Sequence, residues 1–356
     1  MRAVTLVVRS FRNLADAEFE LPPAGVALVG LNGHGKTNLI EALAYPVLLR
    51  SLRGARDRDV VRFGGPGFHV GLDRDEGPSI KITYAAETAR KTVLIDGAEQ
   101  RTVTEALGHW LAVAFLPTDI AIVQGGAMER RKWLDRLLSL ADRHYLSGLL
   151  RYRAALAQRN AALRLGDVAA AAAFEPALAH YGAAITAARL AWVEAAVSGW
   201  RAELDTLGEA GEVDLRYRGD DALTDPAAWP GRLEATRRRD LQRGQTHVGP
   251  QRDDLVLTLD GRALRAYGST GQHRAAAIAL RLLELETIRR ERSAEPALLV
   301  DDVFAALDGD RQARLASRLM RGQAQRVVAA PRAASLPAEL DLPRWSVDHG
   351  VVRGDG

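Results

Sequence analysis

GVALVGLNGHGKTNLIEALAYPVLL, residues 25–49, is an apolar run, a glycine-studded turn and a stretch with helical spacing. The run Gly25–Gly30 is short and apolar and ends in glycine, so it reads as a buried strand. The turn, residues 30–37, fits G-x-x-x-x-G-K-S/T between that strand and a predicted helix, which Pro46 should end or kink. Gly30, Gly33 and Gly35 let the backbone curl so that successive N–H groups face phosphate oxygens. The helix N-terminus adds partial positive charge. Lys36 would reach the β- and γ-phosphates, and the Thr37 hydroxyl would hold Mg²⁺. Asn32, His34 and Asn38 complete the candidate nucleotide-binding set from this stretch. Lys36 is one of only four lysines among 48 cationic residues, the rest being arginine. A compact ammonium fits a phosphate cradle where a planar guanidinium does not.

A nucleoside triphosphate with Mg²⁺ needs a carboxylate opposite Thr37. ALLVDDVFAALD, residues 297–308, supplies one: an apolar run meeting two aspartates suits a buried parallel strand whose C-terminal end faces the ligand. Asp301 would bind Mg²⁺ through a water, from the side opposite Thr37, and Asp302 would orient or deprotonate the attacking water. Asp302 is one methylene shorter than Glu, the commoner residue at that place in related ATPases, which predicts slow turnover. Asp308 is expected at a subunit junction.

Between these lies AYGSTGQHRAAAIALRLLELE, residues 266–286, a Gly-Ser-Thr-Gly turn at the head of an apolar helix. The Ser269 hydroxyl, backbone N–H groups and helix dipole suit a γ-phosphate. One nucleotide already has its phosphate loop, so this second grip raises the question of a second subunit. Here the chain resembles the ABC-type ATPases. Their S-x-G-Q signature, here Ser269 to Gln272, caps the nucleotide held by the partner, so ATP holds a homodimer together. The order of phosphate loop, helical insertion, signature and acidic strand is similar too. The fold expected is α/β: an ABC-type P-loop ATPase head with an inserted all-helical second lobe.

The rest of the chain is read in that frame. SIKITYA and KTVLIDG alternate as strands, with Asp96-Gly97 as a hairpin turn. From Met128 an apolar stripe keeps helical spacing for about ten turns, Gly166-Asp167 breaks it, and a second helical stretch follows from Phe174 to Leu207. The two suggest an antiparallel arm, and an ordinary helical subdomain fits equally. LVLTLDGRALRAY is a hairpin candidate turning at Asp260-Gly261, 310–320 a helix, and AQRVVAA the final strand. The expected divisions are an N-terminal part of the head at 1–125, a helical lobe at 126–240 and a C-terminal part of the head at 241–356.

Composition bounds the setting. With no cysteine, a disulfide framework and thiolate metal sites are excluded, which fits a reducing compartment. The N-terminal stretch has no apolar run of signal-peptide length, and the apolar stretch 177–200 is interrupted by Arg189 and Glu194. The expectation is a cytoplasmic protein with no membrane partner. The net charge is only +3 and arginine is the default polar residue, so arginine counts alone say little about nucleic acid.

Further stretches resemble one family, RecF, of bacterial recombination-repair proteins: SFRNL (10–14), GLNGHGKTNLIEAL, RSLR (50–53), FLPTDIAIVQGGAMERRKWLD (115–135), THVGPQRDDLVLTLDG (246–261), STGQHR and LLVDDVFAALD. They cover most of the chain in the family's order. His34 stands where Gln or Ala is common, Gln251 where His is usual, and Ala127 where Pro is usual. FAALD lacks the Ser and Glu often found there, and VVAAP offers no switch histidine. The resemblance implies an ATP- and DNA-binding protein that dimerises with ATP and hydrolyses it slowly. With RecR, and RecO nearby, such proteins help load the RecA recombinase at single-strand gaps in DNA replication, recombination and the SOS response, in the nucleoid. It also places Arg12 and Asn13 near the adenine or α-phosphate. Two rival functions stand beside it: a non-catalytic nucleotide-binding scaffold, and the ATPase subunit of a transporter.

Two basic runs are candidates for duplex backbone: 50–62, with Arg53 and Arg56, and 236–252, with Arg237, Arg238, Arg239 and Arg243. A solvated charged face is the competing reading. No aromatic ladder for stacking single strands is visible.

Overall fold

The structure, a computed structural model, describes residues 1–354. The chain folds as two units, one of Met1–Thr118 with the segment from Glu284 onward, the other of Asp119–Leu283. The division therefore falls at 118/119 and 283/284, against the expected 125/126 and 240/241. The helix headed by Ser269 begins in the second unit.

In chain order the first unit contains β1 (Ala3–Arg9), β2 (Ala17–Glu20), β3 (Gly25–Val29), α1 (Lys36–Leu48), α2 (Asp57–Val60), β4 (Gly67–Arg74), β5 (Ile80–Ala85), β6 (Arg90–Ile95), β7 (Ala98–Glu99), α3 (Val103–Ala106) and β8 (Ala112–Phe115). The second contains α4 (Ile120–Gln124), α5 (Ala127–Ala141), α6 (Arg143–Arg164), α7 (Val168–Ala173), α8 (Glu175–Thr206), β9 (Val213–Arg218), α9 (Trp229–Arg243), β10 (Asp254–Leu259), β11 (Arg262–Ala263) and α10 (Leu264–Tyr267). Helix α11 (Thr270–Arg292) crosses the boundary, and β12 (Ala297–Asp301), α12 (Gly309–Met320), β13 (Arg326–Ala330), β14 (Arg344–Asp348) and β15 (Val351–Gly354) complete the first unit.

Two six-stranded sheets build the first unit. One is antiparallel, in the order β2-β1-β4-β5-β6-β7. Strict alternation in β5 buries Ile80, Ile82 and Tyr84 and exposes the residues between, as expected of a sheet with one face on the core. Asp96 and Gly97 both have positive φ, the type I′ requirement of a tight hairpin. The other sheet has the order β15-β14-β3-β13-β12-β8, parallel except at β14–β15. Strands β12 and β13 are buried along their whole length, which is why they read as unbroken apolar runs. Register places the site: Asp301 lies opposite Ala329 of β13, and Ala329 opposite Leu28 of β3. The ends of β3 and β12 thus meet one edge of the sheet, two strand spacings or about 9–10 Å apart.

Two expectations need correction here. Helix α1 continues two residues past Pro46 and ends at Leu48, with Leu49 left-handed at φ 53°. Proline in the last turn removes little, since the closing bond runs from the Leu49 N–H to the Tyr45 carbonyl at 2.7 Å. AQRVVAA is not the final strand. RWSVDHGVVRG folds into the hairpin β14–β15, burying Trp345 and Val347 on one face and turning at His349 and Gly350, both at positive φ.

The lobe expected to be all-helical, 126–240, also carries a strand, β9, and the second unit holds an antiparallel sheet, β11-β10-β9. Strand β9 pairs along the full length of β10, so the predicted Asp260-Gly261 hairpin gains a third strand. The first helical stripe is interrupted at Asp142, which leaves the helix (φ −133°, ψ 121°) and caps α6 by accepting from the His144 N–H at 2.8 Å. The long element is α8, 32 residues or about 48 Å. Helix α8 packs on α6, β9 and α9, so the helical subdomain, rather than an arm, describes this unit.

Paired charges hold its interior. Arg159, 1% exposed, donates to Asp240 and to the Thr246 hydroxyl, each at 2.8 Å, and to Glu175. Arg130 grips Asp254 with two bonds of 2.7 and 3.0 Å. Removing one partner of such a buried pair costs about 3–5 kcal/mol, because the other charge is left in a dry interior.

Candidate nucleotide site

The phosphate loop leaves β3 at Val29 and enters α1 at Lys36. Gly35 is the cap, at φ 118°, a conformation closed to residues with a side chain, and a Cβ there would stand 3.1 Å from the Asn13 Oδ1. The Lys36 ammonium turns back over the loop and donates to the carbonyls of Gly30 at 2.6 Å and Leu31 at 3.0 Å. It is 5% exposed. Burial lowers its pKa, while the carboxylates Asp302 and Asp301 act to raise it. An anion in the loop would raise it as well.

The Thr37 hydroxyl donates to Asp301 Oδ1 at 3.0 Å, across 264 residues of sequence. Burial pushes the Asp301 carboxyl above its usual range, the Thr37 hydrogen bond opposes that, and the neighbouring Asp302 charge adds to it. A hydroxyl and a carboxylate oxygen are hard donors. In an octahedron with bonds of about 2.0–2.1 Å, adjacent ligand atoms lie about 2.9 Å apart, so the Thr37–Asp301 pair fits Mg²⁺. A cation would also relieve the unfavourable burial of Asp301. Asp302 has φ 51°, a left-handed backbone uncommon outside Gly, Asn and Asp, and its N–H donates to the Ala329 carbonyl at 3.2 Å. That left-handed position is held by the residue assigned to water activation.

A network absent from the sequence reading fixes the rim of the loop. Glu41, 1% exposed, sits one helical turn beyond Thr37 on α1. It receives both Nε and Nη2 of Arg12 at 3.0 Å, the Ser51 hydroxyl, and Arg53. Arg53 also donates to Asn38, Asn38 to Asn13 at 2.7 Å, and Asn13 to the Gly33 carbonyl at 3.3 Å. Arg12, Asn13, Asn38 and Arg53 are thus tied together beside the loop. Arg53, a candidate for DNA, spends its guanidinium on Glu41 and Asn38. A lone Glu inside the apolar stretch NLIEAL was the available signal: a carboxylate buried there needs cations.

Burial would raise the Glu41 carboxyl, but hydrogen bonds from Arg12, Arg53 and Ser51 outweigh it and hold the group below the usual carboxylate range. A folded-state pKa below the unfolded one stabilises the fold at pH values above the unfolded pKa, and the contribution is lost as pH falls through the folded pKa. Urea unfolding of wild type and Glu41→Gln is therefore expected to show a stability gap of about 2–4 kcal/mol at pH 7 that narrows steadily below about pH 4.5. A gap independent of pH would contradict this role.

In the second unit, the Ser269 hydroxyl accepts from the Gln272 N–H at 3.2 Å, and the Gln272 side chain accepts from the Ser269 N–H at 2.8 Å. This is a capping box. It gives the signature turn a structural reason of its own and leaves the Ser269 O–H free to donate. Gln272 is engaged with the turn. Of the basic run, Arg237 is paired with Glu234 at 2.7 Å and Glu175 at 3.5 Å. Asp240 points inward to Arg159, while Arg238, Arg239 and Arg243 are exposed on α9. Arg56 is exposed and pairs with Asp59 at 3.2 Å.

A phosphate loop and an acidic strand end on one parallel sheet, with a helix-capping Ser-Thr-Gly-Gln turn between them in sequence, define an ABC-type ATPase head. No protein-family model matches the chain. It is 36% identical over 379 aligned positions to the DNA replication and repair protein RecF of Frankia alni, covering 99% of both chains. It is 35% identical over 374 positions to RecF of an Anaeromyxobacter species, again covering 99% of both. The chain belongs to the RecF family of DNA replication and repair proteins. The solved structure of the recombination mediator protein RecF-ATP in the RecFOR pathway superposes with a TM-score of 0.88 at 28% identity, covering 99% of this chain and 97% of that one. The Smc head of Pyrococcus furiosus, at 17% identity and TM-score 0.58, shares the fold. Among the described residues no helix is long and apolar enough to cross a membrane.

Proposed function

We propose that this chain is an ATP-switched DNA-repair clamp. It binds ATP with Mg²⁺, closes as a homodimer around the nucleotide, hydrolyses slowly, and holds duplex DNA at gaps, where with RecR and RecO it helps load RecA. The observation that carries the reading is the Thr37–Asp301 hydrogen bond of 3.0 Å beside the buried Lys36 ammonium. It joins the two halves of a Mg²⁺–triphosphate site from opposite ends of the chain. The family's RecF-ATP structures support the choice of nucleotide.

Each side chain takes one role in the proposed cycle. Loop N–H groups and Lys36 would hold the β- and γ-phosphates; Thr37 and Asp301 would hold Mg²⁺, which would supply charge neutralisation to the triphosphate. Asp302 orients the water and accepts its proton. Ser269 of a second copy donates to the γ-phosphate, so hydrolysis removes the oxygen it grips and the dimer loosens. Glu41 positions Arg12 and Arg53 at the rim.

The DNA half of the proposal is tested by salt. Duplex affinity is expected to fall linearly on a log–log salt plot, and the triple replacement of Arg238, Arg239 and Arg243 by Ala to flatten that slope by about 0.9 per lost phosphate contact, about 2.7 in all. Gapped duplex is expected to stimulate ATP turnover of wild type. An unchanged slope in the triple variant would remove α9 from the DNA surface, and turnover indifferent to DNA would remove DNA from the cycle.

A further inference from the structure

The hairpin β14–β15 brings its turn against the phosphate loop. The Gly350 N–H donates to the His34 carbonyl at 2.8 Å, and the Ala15 N–H to the Gly350 carbonyl at 2.8 Å. Gly350 has φ 83°, and a Cβ on it would stand 1.9 Å from the Asn13 carbonyl oxygen, so the approach is fixed by backbone on both sides. Three polar side chains converge in this corner. His34 Nδ1 lies 2.8 Å from Asp348 Oδ1, and His349 Nδ1 lies 2.7 Å from the same oxygen. The two imidazole rings are 4.3 Å apart between centroids, and one ligand atom from each of the three residues falls within 4.8 Å of the others. His349 sits at φ 44°, in the left-handed region where histidine is one of the more tolerated residues.

Two imidazoles and a carboxylate suit Zn²⁺ and its neighbours in the first transition row, and do not suit Mg²⁺, which takes oxygen ligands. A tetrahedral ion with bonds of about 2.0–2.2 Å sets its ligand atoms about 3.3 Å apart, so both nitrogen–oxygen distances need to open by only about half an ångström. Two ligands lie on the exposed hairpin turn (Asp348 75% and His349 81% exposed at the side chain) and one in the phosphate loop, so solvent reaches the corner.

We propose that His34, Asp348 and His349 form a three-ligand site for a divalent ion of the Zn²⁺ class, open at its fourth position, and that the ion pins the β14–β15 turn to the phosphate loop. Binding releases protons from whichever Nδ1 atoms carry them, and no electron moves. The site shares His34 with the candidate nucleotide-binding set but uses none of Lys36, Thr37 or Asp301, so ion binding in the absence of nucleotide stands or falls apart from the nucleotide reading.

The test uses the full chain without an affinity tag and with no nucleotide present. Titration with Zn²⁺ in the calorimeter, and with Co²⁺ followed by its visible absorption, is expected to show one ion per chain at micromolar affinity, undisturbed by millimolar Mg²⁺. His349→Asn keeps a residue tolerant of positive φ, and Asp348→Asn keeps the side-chain shape; each is expected to weaken binding by at least about tenfold. Hydrogen exchange is expected to slow on Zn²⁺ addition both at 348–351 and at 31–35. Absence of one-to-one binding, or binding unchanged in both variants, overturns the site. Protection confined to the hairpin overturns the link to the loop.

Discussion

Replacing Lys36 with Ala is expected to weaken ATP binding by at least about 100-fold while the chain stays folded. The ammonium stands at the mouth of β3, where it already donates to two loop carbonyls. A triphosphate would take those donors as charge-assisted hydrogen bonds, each contributing about 1.5–3 kcal/mol. Loss of two such bonds exceeds about 3 kcal/mol, or two powers of ten in affinity. The substitution also removes a positive charge that acts on Asp301 and Asp302, whose carboxylates then repel an incoming phosphate more strongly. Fluorescent-nucleotide titration measures the effect, and a melting curve close to wild type shows that folding is not the cause. An affinity within about threefold of wild type would place the phosphates elsewhere and remove the basis for the site.

Asp302→Asn is expected to lower ATP turnover by about 100-fold or more and to leave ATP affinity nearly unchanged. Asn accepts the left-handed backbone found at 302, so geometry is kept while the carboxylate is lost. General-base assistance contributes about 10²–10⁴ in rate, and a shorter base already implies a slow wild-type rate. Single-turnover hydrolysis with saturating ATP separates the step from binding. Equal rates in the two proteins would make the chain a nucleotide-binding scaffold whose residual hydrolysis needs no base.

Much of this was written in local sequence. The phosphate loop, the apolar run before Asp301 and the Asp96-Gly97 and Asp260-Gly261 turns announce themselves because glycine geometry, full burial and hairpin twist each leave a short-range mark. What the sequence concealed depends on tertiary partners. Arg53 looked like a free cation on a basic run, and only the fold puts Glu41 and Asn38 against it. The stripe from Met128 kept helical spacing through Asp142 because a cap and a helix interior place apolar residues alike, so periodicity could not reveal the break. Strand β9 and the β14–β15 hairpin were missed since each gains its stability from the strand it joins. The Trp345–Val347 alternation followed by His349-Gly350 was the mark that went unused, and it is this hairpin that brings Asp348 and His349 to His34. The Ser269–Gln272 turn was read as a phosphate grip, and its capping box, found in the structure, explains why a flexible turn can head a stable helix.

The central claim, that ATP is held between two copies of the chain, is tested most directly by mass. Light scattering of wild type and of Ser269→Arg, each with and without ATP and Mg²⁺, gives four values. Wild type is expected to move from monomer to dimer when ATP and Mg²⁺ are added, and Ser269→Arg to remain monomeric while still binding the nucleotide. A wild-type mass unmoved by ATP, or a Ser269→Arg variant that dimerises as well as wild type, would contradict it.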